Sequence, residues 1–206
     1  MRRHEREIFS LMKKRHLFSQ VTNFELYDLY DQHGNVNENV FAYSNSVEND
    51  RSLVVYHNTF AECRGWIRQS CVKAVSVEGV TEKQMRTRSI AEALGFRNAD
   101  EWFYLFKEQK TGLEYIRSGK EIHANGFYIE LQAFEYKLFL NFQEVYDSSN
   151  EYRALADSLQ GKGVPDIPQL LKELRLKPVH ESIADLISKT SEFLTSKKEL
   201  KPDSIA

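Results

Sequence analysis

The sequence predicts a mainly β fold: an antiparallel β-sandwich with one helix in front and a helical C-terminal extension behind. Three observations lead there. Apolar and polar residues alternate in short runs between residues 24 and 145, most regularly from Phe134 to Gln143, as in a strand with one buried and one wet face. Turn segments such as His33-Gly34-Asn35 and Lys110-Thr111-Gly112 punctuate these runs, which favours antiparallel strands over parallel crossover units. From residue 149 the apolar spacing changes to that of helices. The resulting division is an N-terminal helix over 1–20, a β-sandwich domain over 21–147 and a helical extension over 148–206.

The elements follow in chain order. Residues 4–18 read as a helix with Ile8, Leu11 and Met12 on one face. Glu5 and Glu7 near its start, and Lys13, Lys14, Arg15 and His16 near its end, complement the helix dipole. A helix below about 12–15 residues is marginal in water, so this stripe must pack on something. Phe24 to Tyr30 reads as a strand whose alternation slips between Leu26 and Tyr27, which predicts a bulge nearby. Val40-Phe41-Ala42-Tyr43 and Leu53-Val54-Val55-Tyr56, separated by Glu48-Asn49-Asp50-Arg51, predict a hairpin. Residues 61–80 stay open between strand and helix. Thr87 to Phe96 predicts a helix of two or three turns closed by Gly95.

A second strand group comprises Trp102 to Phe106, Leu113 to Ile116, the run around Phe127, Ile129 and Leu131, and the stretch from Phe134. There Phe134, Tyr136, Leu138, Leu140 and Phe142 are expected on one face, with Glu135, Lys137, Phe139, Asn141 and Gln143 on the other. Tyr152, Leu155, Ala156 and Leu159 form a helical stripe closed by Gly161-Lys162-Gly163. Asp166 is placed to cap a further helix with Pro168 in its first turn. Pro178 is expected to break the chain before a last helix carrying Ile183, Leu186, Ile187, Phe193 and Leu194.

Composition narrows the function classes. The 206 residues carry 28 Lys and Arg against 30 Asp and Glu, a net charge of −2, with 41% hydrophobic residues; disordered chains have low hydrophobicity and high charge. Near-neutral charge gives no electrostatic case for nucleic acid. No apolar run reaches membrane-spanning length, so no membrane partner is expected. Two cysteines, Cys63 and Cys71, make no disulfide framework and read as structural thiols. Charges interrupt any secretory h-region near the start, so a cytoplasmic location is expected.

The chemistry-bearing motifs are sparse. There is no GxSxG elbow, the six His have no ligand-like spacing, and Gly161-Lys162-Gly163 lacks the rest of a phosphate loop. No acid stands in a context that specifies a site. Catalytic, metal and cofactor assignments are therefore none. With 13 Phe, 10 Tyr and 2 Trp, aromatic faces able to stack on sugars are the remaining candidates. Trp102 opens an apolar strand and is expected in the core. Trp66, bracketed by Arg64 and Arg68, is the candidate carbohydrate-binding residue, with those two arginines beside it.

The order of a charged amphipathic helix, Phe24-Glu25-Leu26-Tyr27, Asn39-Val40-Phe41-Ala42-Tyr43 and Arg51-Ser52-Leu53-Val54-Val55-Tyr56-His57-Asn58 resembles the C-terminal end of α-amylase family glycoside hydrolases. Glu130 to Leu138 is similar to that family's closing strands. The resemblance covers residues 4–60 and 126–142. It implies the last helix of a (β/α)8 barrel followed by an all-β domain C, in α-glucan metabolism. The motifs that carry the family's catalytic carboxylates are missing, so no catalytic residue is carried over. The implied role is a non-catalytic accessory domain. Its implied partners are a catalytic barrel on a separate or missing segment, and α-glucan. A self-standing carbohydrate- or protein-binding module, unrelated to amylases, is the alternative.

Overall fold

The computed structural model describes residues 10–76, 79 and 82–199. The strands are β1 (Glu25–Tyr30), β2 (Val40–Val47), β3 (Asp50–His57), β4 (Cys63–Ser70), β5 (Lys73–Val75), β6 (Gln84–Arg86), β7 (Trp102–Glu108), β8 (Glu114–Ser118), β9 (Phe127–Leu131) and β10 (Tyr136–Tyr146). The helices are α1 (Ser10–Lys13), α2 (Arg15–Ser19), α3 (Ile90–Ala93), α4 (Gly119–Asn125), α5 (Glu151–Leu159) and α6 (Ile167–Glu199). The chain is thus mainly β with helical ends, as the alternation predicts. Eight strands form one antiparallel sheet in the order β8-β7-β10-β3-β2-β1-β4-β9, while β5 and β6 pair separately.

The sheet curls until its two ends share a core. Phe106 on β7 and Phe127 on β9 have ring centroids 5.5 Å apart, although these strands are second and last in the order. Phe139 and Phe142 from β10 meet Phe106 at 5.5 and 4.9 Å. Phe96 stacks on Tyr104 at 3.9 Å. Ile90, Ala91 and Ala93 of α3 and Ile122 of α4 join this concave-side core. The helix expected over Thr87–Phe96 is a single turn. Ser89 and Glu92 form a reciprocal capping box at its start, and Gly95, at φ +66°, reverses the chain after Leu94.

The convex face is covered from the N-terminal side. Leu17 is fully buried against Leu138 and Leu140, with Phe18, Val47 and Val54 around them. Lys14 donates to Asp50 at 2.6 Å, and the His16 ring stands 2.9 Å from the same carboxylate; the Lys14 hydrogen bond holds the Asp50 carboxyl below its usual range. Leu17 is thus an anchor on the sheet; of the stripe Ile8, Leu11 and Met12, Met12 is exposed, and Ile8 and the Leu11 side chain lie outside the described residues.

Two bulges set the faces. β1 shifts register against β4 between Tyr27 and Leu29, beside the slip seen in the sequence. β10 shifts against β7 between Leu140 and Gln143, around Asn141 at φ +56°. That bulge overturns the strict alternation expected from Phe134 to Gln143. Leu138 and Leu140 pack on the convex side, whereas Phe139 and Phe142 both enter the concave core. Phe134 sits at the corner before β10, exposed, at φ +52°.

Residues 61–76, ambiguous in the sequence, are strands β4 and β5. The β5–β6 hairpin is tied to the sheet by charge. Glu25, buried on the concave side, has Lys73 Nζ at 2.9 Å, Arg86 Nη2 at 3.6 Å and Arg88 Nη1 at 3.7 Å from Oε1.

The extension divides differently from the expected 148–206. Residues up to Asp166 belong to the compact unit of the sheet, and Ile167–Ala206 is a second unit. Leu155 of α5 is buried, Arg153 Nη2 donates to the Asp100 carbonyl at 2.9 Å, and Val164 bridges to Glu114. The expected break at Pro178 is absent: α6 runs through it. A proline's fixed φ is compatible with a helix, and it removes one backbone donor; Ser182 Oγ donates to the Pro178 carbonyl at 2.8 Å. Leu176, Val179, Ile183, Leu186 and Ile187 lie exposed along α6; the side chains of Phe193 and Leu194 lie outside the described residues. Among the described residues no helix is long and apolar enough to cross a membrane.

Two stability predictions follow from these contacts. Leu17→Ala should cost about 3 kcal/mol, seen as a lower urea midpoint at unchanged slope; an unchanged midpoint means α2 is not docked. Glu25→Ala leaves three cations facing one another and should cost about 3 kcal/mol. Part of that loss should return when unfolding is measured in high salt.

Candidate functional site

Successive side chains of a strand point to opposite faces. On β4 this puts Arg64, Trp66 and Arg68 together on the convex face, while Gly65 and Ile67 are buried. A side chain at residue 65 would bring its Cβ within 2.2 Å of the Tyr30 carbonyl oxygen, so glycine is what lets β1 and β4 approach here. Trp66 stands opposite Tyr30 on one side and Tyr128 on the other. Three aromatic residues thus run in a row across β1, β4 and β9.

The row's free end is a shelf. The Trp66 and Tyr128 rings lie 5.0 Å apart at 55°. Tyr128 is 41% exposed, and its hydroxyl donates to Glu130 Oε1 at 2.8 Å. Arg64 faces Glu130 across the strand pair. The Arg68 guanidinium lies 5.5 Å from the Trp66 ring centroid, within cation–π range, and its Nε donates to the Asn125 carbonyl at 3.2 Å.

The turn after β1 supplies the polar wall. Asp31, Gln32 and His33, with Arg64, Trp66 and Tyr128, enclose a cleft of about 330 Å³. Asp31 Oδ1 accepts from the backbone N–H groups of His33 and Asn35 at 2.8 and 2.9 Å, and Oδ2 accepts from the Asn35 amide at 3.2 Å. The two Asn35 donors, backbone first, hold the Asp31 carboxyl below the usual carboxylate range. Partial burial, then the adjacent Glu130, push the Tyr128 hydroxyl up, so it remains a neutral donor.

No family model, curated protein or solved structure matches the chain.

What the cleft can do chemically follows from its side chains alone. An aromatic face can lie against the C–H face of a sugar ring. The carboxylate, amide and guanidinium at its edge can bond hydroxyls, roughly twice as strongly where the partner is charged. Asp31 is held ionised at neutral pH, the wrong state for a general acid.

The structure brings Trp66, Arg64 and Arg68 together, as strand spacing implies, with Arg68 at the flank rather than in the cleft wall. Asp31, Gln32, His33 and Tyr128 are the cleft residues that the sequence reading missed. For Tyr128 a signal existed: it is an aromatic on the wet face of an alternating run. Trp102 is half-buried against the core, as expected, with the Arg97 guanidinium 4.1 Å from its ring and Tyr146 at 5.3 Å.

The remaining candidates have structural partners. His57 is buried at the end of β3, with Nδ1 3.1 Å from the Gln132 carbonyl oxygen. Burial pushes both thiols up, and Cys71 Sγ donates to Asp28 Oδ2 at 3.8 Å; raised thiols are poor nucleophiles. Among the described residues no three His, Cys, Asp or Glu side chains are grouped as metal ligands.

Proposed function

We propose that this chain is a non-catalytic accessory domain of the α-amylase type, contacting α-glucan through the Trp66–Tyr128 shelf. The observation that carries the reading is the shelf itself: a partly exposed Trp–Tyr pair with an ionised carboxylate, an amide and a guanidinium around one cleft. An aromatic pair exposed on a sheet face, rimmed by hydrogen-bonding groups, suits a neutral polyhydroxylated ligand better than a charged one.

Two further features support the family part of the reading. The segments that carry the resemblance, Val40 to Tyr43 and Arg51 to Asn58, are neighbouring strands at the centre of the sheet, and Glu130 to Leu138 forms the corner from β9 into β10. On the convex face Phe41 lies opposite Tyr56, and Tyr56 opposite Tyr136. Phe41 is 53% exposed. In this reading these exposed aromatics are where the catalytic barrel would rest.

Affinity electrophoresis through gels containing amylopectin tests the sugar contact. The wild-type chain should be retarded. Trp66→Ala should weaken the apparent affinity roughly tenfold, the effect of losing about 1.4 kcal/mol of stacking, with Trp66→Tyr in between. The chain alone should leave maltoheptaose uncut. Equal migration of wild type and Trp66→Ala, or turnover that disappears with Asp31→Asn or Glu130→Gln, contradicts the reading.

A further inference from the structure

A second cleft, of about 400 Å³, opens on the concave side between the two edge strands β8 and β9. That volume lies within the range of small-molecule sites, roughly 300–1,000 Å³. Its floor is aromatic: Phe106 and Tyr115 are parallel to within 8° with centroids 5.7 Å apart, and Phe127 and Phe139 complete it. Along this aromatic floor the fold places two cations. Arg117 stands opposite Tyr104 in the β7–β8 pair, and Lys137 stands opposite Val55 in the β10–β3 pair. Tyr104 and Val55 are core residues of the concave side, so both basic side chains share that side.

Neither cation has a carboxylate oxygen within 4.0 Å among the described residues. Arg117 is instead fixed by carbonyls: Nη1 donates to Ile116 at 3.2 Å and Nη2 to Gly161 at 2.8 Å. Burial lowers the guanidinium's affinity for its proton relative to a free arginine. The loop Gly161-Lys162-Gly163 is pressed onto this corner. A Cβ at Gly163 would lie 2.6 Å from the Tyr115 ring, and one at Gly161 would lie 2.5 Å from Arg117 Nη2. Lys162 of the same loop lines the cleft.

Inward charges on edge strands can serve to prevent strand addition, which would account for Arg117, since β8 is an edge. It does not account for Lys137, because β10 is paired on both sides by β3 and β7. Lys137 is half-buried on the concave side of this interior strand and lines the cleft with no acid at ion-pair distance among the described residues, so its ammonium is placed to meet an anion there.

We propose that this cleft binds an organic anion, its phosphate or carboxylate held by Arg117 and Lys137 and its flat apolar body laid on Phe106 and Tyr115. The cleft meets the sugar shelf at β9, where Tyr128 and Glu130 line its edge, but Trp66 and the turn at Asp31 do not line it. The headgroup matches the forked donors of arginine, and the floor supplies apolar contact that a bare inorganic ion cannot use.

Isothermal titration of the full chain with naphthyl phosphate, naphthoate, naphthyl methanol and inorganic phosphate tests this. One or both aromatic anions should bind, and the better of the two identifies the headgroup. The neutral alcohol and inorganic phosphate should bind at least roughly tenfold more weakly. Lys137→Gln and Arg117→Gln should each weaken the anion by a similar factor and leave amylopectin retardation unchanged, whereas Trp66→Ala should leave anion binding unchanged. Lys137→Gln covers the case in which loss of the Arg117–Gly161 contact unfolds the chain. Equal affinity for naphthyl methanol, or a folded Lys137→Gln chain that binds the anion as tightly as wild type, overturns the proposal. Binding that is competed by an extended acidic peptide pairing with β9, and by no small anion, also overturns it.

Discussion

The ring of Phe106 on β7 lies 5.5 Å from that of Phe127 on β9, and this contact joins the second strand of the sheet to its last. A flat eight-stranded sheet would leave one face of these rings in water. Sheet twist brings the ends round, and the bulges in β1 and β10 add local bend. Each aromatic pair contributes about 0.5–1.5 kcal/mol beyond its buried area, so the cluster of Phe96, Tyr104, Phe106, Tyr115, Phe127, Phe139 and Phe142 stabilises the curl. The division of the surface follows from it. The concave side becomes an aromatic core with a cleft at the seam, and the convex side carries the row of Tyr30, Trp66 and Tyr128.

Strand β9 shows how one short segment serves both sides. Phe127, Ile129 and Leu131 point into the core, whereas Tyr128 and Glu130 point outward. A one-residue slip of β9 against β4 would put Tyr128 inside and Phe127 beside Trp66. The core therefore fixes the geometry of the shelf: the same pairing that buries Phe127 sets the 5.0 Å separation of Trp66 and Tyr128.

Local patterns carried much of this into the sequence. The hairpin around Glu48 to Arg51, a helical segment between Thr87 and Phe96 closed by Gly95, and the slip near Leu26 are all short-range features, fixed by residues a few positions apart. The grouping of Arg64, Trp66 and Arg68 follows from strand periodicity once residues 63–70, open between strand and helix in the sequence, form β4. What was not legible is long-range. Pairing of β4 with β9 joins residues about sixty positions apart, and nothing local to Trp66 names Tyr128 or Asp31 as its neighbours. The bulge at Asn141 was hidden because Leu138, Phe139, Leu140 and Phe142 are all apolar, so alternation could not say which side each would take. Pro178 was read as a helix break because proline is disfavoured inside helices, yet α6 tolerates the loss of one backbone hydrogen bond.

The chain has two tryptophans, Trp66 and Trp102, and their environments differ: one carries the shelf, and the other packs on the core beneath Arg97. Their indole N–H signals in a proton–nitrogen correlation spectrum, followed during titration with maltoheptaose, therefore give the most direct test of the sugar-contact reading. The Trp66 signal should move saturably while that of Trp102 stays in place. Movement of Trp102 alone, or of neither, would contradict it.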